Sequence, residues 1–336
     1  MTPRPLCKFW VASCVPDGGA IRYCLYADGT AARIGKIPMP EPMWLEIEGE
    51  RMWAVLRAPF RDTEESGVAA YDLRTGDRLT DVRSTKGVVA CHLAVRENDL
   101  YAANYVSGSV WRVPDVCREH TGRGSDPERQ RSPHPHSVVL SPDGEYLLVC
   151  DLGLDTVFVY DRALNEVSRA ATPAGAGPRH LTFSRDGRFV YVISEMGAVL
   201  HSFAWENGTL RAIGSVSVLP DGFSGAGKGA AVRLSENGKR LYVTERGSET
   251  VSVFAVDGPR LTRLQTVYSH GAEPRDLALL PNGSFFAICA NQFSDVCSIW
   301  RTDPDGSLHF FTSIGVPRPV CALSDPGDGN GRNGTT

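Results

Sequence analysis

Residues 131–155 read RSPHPHSVVLSPDGEYLLVCDLGLD. Val138, Val139 and Leu140 form a short apolar run, Ser-Pro-Asp-Gly at 141–144 carries the chemistry of a tight turn, and Tyr146 to Cys150 form a second apolar run. Short β-branched and aromatic runs split by a glycine-containing turn predict an antiparallel hairpin. Polar residues mark its two ends, His136 at the first strand and Asp151 after the second.

The same grammar recurs along the chain. Strand starts align at Pro42, Ala90, Pro135, Pro178, Gly229, Pro274 and Pro319, with intervals of 48, 45, 43, 51, 45 and 45 residues. Four of the units carry an obvious turn: SPDG at 141, SRDG at 184, SENG at 235 and LPNG at 280. Each interval has room for four short antiparallel strands, and four-stranded sheets repeated about an axis make a β-propeller. The seventh unit has only Val320 to Leu323 before the Gly/Asp/Asn-rich tail, while three strand-like runs stand unassigned at the other end, Phe9 to Cys14, Ile21 to Ala27 and Ala31 to Ile37. These are expected to complete the last blade and close the ring, which removes its free edges. The expectation is therefore an all-β, seven-bladed propeller over residues 1–324 and a flexible tail at 325–336. Two long loops interrupt the regularity, Val113 to Pro133 and Leu219 to Gly229, and the first delivers the chain to His136.

Composition narrows the function. The formal net charge is −4 with a pI near 6.1, and no Lys/Arg run breaks the mixture of signs, so neither nucleic acid nor an anionic membrane is an expected partner. No apolar run reaches the length of a membrane span or of a signal-peptide core, so a soluble, cytoplasmic protein is expected. Nine scattered cysteines with no C-x-x-C pair read as reduced thiols in the core. His134 and His136 have no third ligand at a recognisable spacing, so no metal or other cofactor is expected.

In an antiparallel pair, the start of the first strand and the end of the second lie at one edge of the sheet. Repeated around the ring, this puts Met43, Cys91, His136, Arg179, Ala230, Arg275 and Val320 on one face, followed by Trp44, His92, Ser137, His180, Ala231, Asp276 and Cys321. The second-strand ends add Asn104-Tyr105, Asp151-Leu152, Ser194-Glu195, Glu245-Arg246 and Asn291-Gln292. Such a gathering of His, Arg, Asp and Glu around one channel mouth suits a small anionic ligand. Salt bridging between Glu195 and Arg246, or between blades through Arg179 and Arg275, would account for the same residues without a ligand.

Four stretches carry a family resemblance: GSDPERQRSPHPHSVVLSPDGEYLLVCDLGLDTVFVY (124–160), GPRHLTFSRDGRFVYVISEMG (177–197), LYVTERGSETVSVF (241–254) and PRDLALLPNGSFFAICANQFSDV (274–296). The sequence resembles the seven-bladed propeller lactonases, which include 6-phosphogluconolactonases and carboxy-muconate cyclases. The resemblance implies His136, Arg179, Glu195 and Arg246 as catalytic residues, and the two columns of the face add Arg275, His180, His92, Asn104, Asp151 and Asn291 as substrate-binding candidates. The chain departs from the family pattern at Ala231 (usually Glu), Glu245 (usually Asn) and Leu56-Arg57 (usually Asn-Glu), which alters the pocket charge and leaves the substrate open.

The expected reaction is hydrolysis of a sugar-acid lactone, by default 6-phosphogluconolactone. His136, expected to be near half-ionised, would be the general base, Arg179 or Arg246 would meet the oxyanion, and Glu195 would orient an arginine or donate a proton. No G-x-S-x-G motif points to an acyl-enzyme. A muconate-type cyclase and a non-catalytic binding propeller are the alternatives, and oligomeric state is open.

Overall fold

The computed structural model describes residues 3–97, 99–280 and 285–326. Seven four-stranded antiparallel sheets follow one another around an axis, each running from an inner to an outer strand. Blades 1 to 6 begin at Pro42, Ala90, Pro135, Pro178, Gly229 and Pro274. In blade 7 the strand Pro319–Ser324 pairs with Pro5–Ser13, which continues into Gly19–Tyr26 and Ala31–Pro38. The expected closure by both chain ends is thus present, with Phe9 opposite Ser324 and Ala12 opposite Cys321.

Burial follows position in the blade. Every residue of the innermost strand Pro178–Phe183 is buried, whereas the outermost strand of the same blade, Thr209–Ser217, is mostly exposed. The core lies between adjacent sheets: Val139, Leu148 and Val159 of blade 3 pack on Leu181, Val192 and Phe203 of blade 4. Alternation within each strand supplies these apolar faces, and one period-2 slip would turn them to the wrong side.

The turn at 141–144 explains the repeated Ser-x-Asp-Gly signature. The Ser141 hydroxyl donates to Asp143 Oδ1 at 2.5 Å and accepts from the Tyr146 amide, and Gly144 takes a positive φ of 78°. The positive φ favours glycine there, whereas an added Cβ would meet only the movable guanidinium end of Arg96. Ser184–Gly187 and Ser235–Gly238 repeat the arrangement. At LPNG, residues 281–283 lie outside the described residues.

Two expectations change. Part of the anticipated 113–133 loop is the edge strand of blade 2, Val116–Glu119, which pairs with Ser109–Arg112. Its short, half-exposed, charged character hid it, because an edge strand needs only one partner and shows little apolar pattern. At the other end, Asp325, the first residue of the expected tail, is tied to the fold: its amide donates to Lys8 O and its carboxylate pairs with Arg22. Residues 327–336 of that tail lie outside the described residues. Among the described residues, no helix is long and apolar enough to cross a membrane.

Candidate active site

A register irregularity recurs at the head of the inner strand in all seven blades. It falls between Pro42 and Trp44, Ala90 and His92, Pro135 and Ser137, Pro178 and His180, Gly229 and Val232, Pro274 and Asp276, and Pro319 and Cys321. The skipped residues are Met43, Cys91, His136, Arg179, Ala230 with Ala231, Arg275 and Val320. A bulge leaves its extra residue unpaired and re-aims the side chain. Here it releases one residue from the ladder in six blades and two in blade 5, all at the channel mouth, which makes the repeat a device for presenting side chains.

Three arginines converge on one carboxylate. Glu195, at the end of the second strand of blade 4, lies 2.7 Å from Arg246 Nη2 and 3.3 Å from Arg179 Nε through Oε2, and 2.5 Å from Arg129 Nη2 through Oε1. Arg246 also pairs with Glu273 at 2.8 Å. Arg179 is only 1% exposed, and its Nη1 donates to Ala230 O across the blade 4–5 boundary at 2.6 Å. Arg275 has a neutral neighbour, Gln292 Oε1, at 3.3 Å.

Rings from four blades meet across the axis and floor this cluster. Trp44 stacks on His92 with centroids 4.0 Å apart, His92 lies 5.3 Å from His180, and His180 lies 5.3 Å from His136. Tyr105 continues the chain 5.5 Å from His136 and is itself backed by His134. Residues from blades 1, 2, 3 and 4 touch in this way only at the centre of the ring. The Nδ1 atoms of His92, His136 and His180 are buried without a hydrogen-bond partner among the described residues. Because Arg179 Nη1 lies 3.3 Å from His180 Nε2, that nitrogen is the acceptor and Nδ1 carries the hydrogen.

Electrostatics sets the protonation states. Burial would raise the Glu195 carboxyl, but Arg246, Arg179 and Arg129 outweigh it and hold it at about 2. Glu195 is an ionised anchor and not the proton donor envisaged from sequence. Burial, then Arg179, Arg275 and Arg246, drive His136 well below the usual imidazole range. The expectation of a half-ionised imidazole is corrected accordingly: the low-dielectric setting beside three cations keeps it neutral. Arg179 falls to about 9 through burial and the repulsion of Arg246 and Arg275, so it stays charged at neutral pH. The Cys91 thiol, whose Sγ lies 3.2 Å from His136 O, is pushed up to about 12 by burial and is no nucleophile.

His136, Arg179, Glu195, Arg246, Arg275, His92 and His180 thus form one cluster of contacts and charge coupling, but Asn104, Asp151 and Asn291 do not join it. Their side chains bind loops and neighbouring strands. Asn104 Nδ2 donates to Thr85 O and Ser109 Oγ, and Asn291 Nδ2 lies 3.1 Å from Ser298 Oγ. Asp151 accepts from the His134 and Leu154 amides and holds His120 Nδ1 at 2.6 Å, with Tyr160 on the far ring nitrogen. Strand alternation is the reason. These three pair directly with Ala90, Pro135 and Pro274, and only the residues after them, Tyr105, Leu152 and Gln292, share the parity of Glu195 and Arg246. Glu245 has the outward parity too, and caps the Lys228, Gly247 and Ser248 amides. Its charge is therefore spent on a loop. Tyr105 and Gln292 were legible from that parity, whereas Arg129 was not, because a loop brings it in from outside the repeat.

The match to the lactonase seven-bladed β-propeller family runs over residues 9–324. The chain belongs to this family. It is 30% identical over 280 residues to the 6-phosphogluconolactonase of Bacillus subtilis, covering 76% of this chain and 80% of that protein. Among solved structures, a protein of Lactobacillus plantarum superposes with a TM-score of 0.85 at 28% identity, covering 94% of this chain and 98% of the other. The periplasmic gluconolactonase of Pseudomonas aeruginosa superposes at 0.81 with 27% identity and the same coverage. Homologues of the 6-phosphogluconolactonase type make this family member a hydrolase-type enzyme.

Proposed function

We propose that this lactonase-family chain hydrolyses a sugar-acid lactone bearing an anionic group, with 6-phosphogluconolactone as the first candidate. The observation that carries this reading is a neutral, buried His136 with an unpartnered Nδ1, set beside guanidinium groups that outnumber the carboxylates. A neutral imidazole has a lone pair for a proton, and the cations attract the substrate and the charge that develops on it.

The steps balance without a covalent intermediate. His136 accepts a proton from water as the water oxygen bonds to the lactone carbonyl carbon. The carbonyl oxygen becomes an oxyanion facing Arg179 or Arg246, whose positions are set by Glu195. On collapse, the ring C–O bond breaks and the protonated His136 returns the proton to the leaving oxygen. The new carboxylic acid then ionises to solvent. Burial, then Arg179, Arg275 and Arg246, make His136 a weak base, and a bound phosphate opposes the arginines' part of that shift. Basicity therefore rises when substrate is present. We also propose a reducing compartment such as the cytoplasm, in keeping with buried thiols such as Cys150, Cys289 and Cys297 in the core.

The decisive measurement is product mass from a panel of lactones and dicarboxylates. Gain of one water identifies a hydrolase; isomerisation without mass change identifies a cyclase and overturns the proposal.

A further inference from the structure

Two of the chain segments that deliver arginines to Glu195 are tied to the same buried carboxylate, that of Asp155. This residue ends the 3-10 turn Leu152–Leu154 in a left-handed conformation, with φ 51°, and is 7% exposed. Its Oδ1 accepts from Gln130 Nε2 at 2.7 Å and from the Gly177 amide at 2.8 Å, while Oδ2 accepts from the Gly175 amide at 2.7 Å. Aspartate suits both demands, since it tolerates the left-handed region and offers charged acceptors.

The first segment is the loop before blade 3. Gln130 is fully buried; its Nε2 also donates to Leu152 O at 2.8 Å, and its Oε1 accepts from the Asp126 amide at 2.9 Å. Asp126 Oδ1 in turn accepts from the Arg129 amide at 2.7 Å. The 126–130 turn is thereby fastened to Asp155, and it fixes the backbone of Arg129, whose Nη2 lies 2.5 Å from Glu195 Oε1. The second segment is the 173–177 turn, closed by the Ala176 amide on Pro173 O, which runs into Pro178 and Arg179. Gly177 O accepts from the Glu195 amide at 2.8 Å, and Glu195 O accepts from the Gly229 amide of blade 5 at 2.9 Å. Arg179 thus follows, two residues on, a glycine bonded both to Asp155 and to the backbone of Glu195.

We infer that Asp155 is a positioning residue for the reaction, holding Arg129 through Gln130, and Arg179 with Glu195 through the 175–177 turn. Asp155 lies in blade 3, between the loop that precedes that blade and the turn that follows it, so one carboxylate sets the two segments against each other and couples their movements. The role in turnover rests on the lactonase reading, whereas the tie itself does not. Its effect falls on the chemical step, because a displacement of about 1 Å spoils the aim of Arg179 at the oxyanion.

Asp155→Gly keeps the left-handed backbone and removes the carboxylate, while Gln130→Met keeps the bulk and removes the loop's two donors. With 6-phosphogluconolactone or gluconolactone, assayed below each melting transition, Asp155→Gly is expected to lower kcat about 10- to 100-fold and Gln130→Met about 3- to 10-fold, with KM within about threefold. The acid limb of kcat/KM is expected to move to higher pH in Asp155→Gly. Arg179 leads the charges that lower His136, ahead of Arg275, Arg246 and His92, and the other groups against that residue, Tyr105, His180 and Cys91, are uncharged. Asp99→Asn is the control: it breaks the pairs with Arg112 and Arg162 at the start of the strand whose other end reaches the mouth, and it is expected to cost stability and leave kcat unchanged. An Asp155→Gly protein that melts earlier but turns over and titrates like the parent overturns the assignment. If that variant does not fold, Gln130→Met decides through kcat. If the parent hydrolyses neither lactone, the lactonase reading fails by itself, and amide hydrogen exchange decides the tie in whichever of the two variants folds. Exchange at Gly124, Arg129, Gly175, Gly177 and Glu195 that accelerates together about tenfold supports it, and acceleration confined to one segment overturns it.

Discussion

Arg246 Nη2 stands 2.7 Å from Glu195 Oε2, and the same carboxylate oxygen lies 3.3 Å from Arg179 Nε. One buried carboxylate therefore holds together two cations that otherwise repel, Arg179 being lowered first by burial and then by Arg246 and Arg275 while Glu195 opposes the shift. Glu195→Gln removes the charge and keeps the shape. It is expected to destabilise the fold by about 3–5 kcal/mol, the cost of breaking a buried pair from one side. A denaturation midpoint equal to the parent's would show that the arginines do not depend on Glu195.

His136→Ala is expected to lower kcat about 10²- to 10⁴-fold, the range of a lost general base, with a smaller change in KM. Stopped assays of lactone consumption measure this. Activity within a few-fold of the parent would remove His136 from the chemistry.

The pH profile separates the free and occupied site. In the free enzyme His136 lies well below the usual imidazole range because of burial, then Arg179, Arg275 and Arg246. The acid limb of kcat/KM, which reports the free enzyme, is therefore expected below that range. The limb of kcat, which reports the complex, is expected higher, because a bound dianion offsets those arginines. Coincident limbs would mean that the anion does not reach their field.

Three buried histidines link stability to pH. His92 is pushed down to about 3, chiefly by burial, and His136 and His180 are driven well below their usual value for the same first reason. The unfolded chain takes up protons at about 6.5 while the folded state resists. Their contribution is thus complete above that pH and is lost as pH falls below it. Between pH 7 and 5 each histidine is expected to cost about 2 kcal/mol, measured as a falling urea midpoint. His92→Phe should flatten the slope by one such share, and a flat parent profile over this interval would contradict the scheme.

Asp151 is a structural residue, and its replacement should show it. Asp151→Ala strips acceptors from the His134 and Leu154 amides and from His120. A loss of about 1–3 kcal/mol is expected from the donors left buried, seen in thermal melts. Any kinetic effect should be mended by raising substrate concentration, because the residue supports the loop that carries Arg129 and touches no reacting atom.

The sequence by itself determined the number of blades, the closure of the ring by both chain ends and the face on which His136, Arg179, Glu195 and Arg246 gather. Period-2 alternation and the Ser-x-Asp-Gly turns are local signals, repeated every 45 residues or so, and repetition makes them unambiguous. Only the tertiary structure decided which member of each neighbouring pair faces the mouth. Asn104 and Tyr105, or Asn291 and Gln292, are adjacent in the chain, and the strand-head bulges and pairing register that choose between them are relations across strands. It also decided the arrival of Arg129 from a loop, since nothing in the repeat predicts where an irregular segment lands. Protonation states belong to the same category. His136 is neutral and Glu195 ionised because several blades bury both beside the same arginines, and desolvation and Coulomb fields arise from distances that the linear chain does not contain.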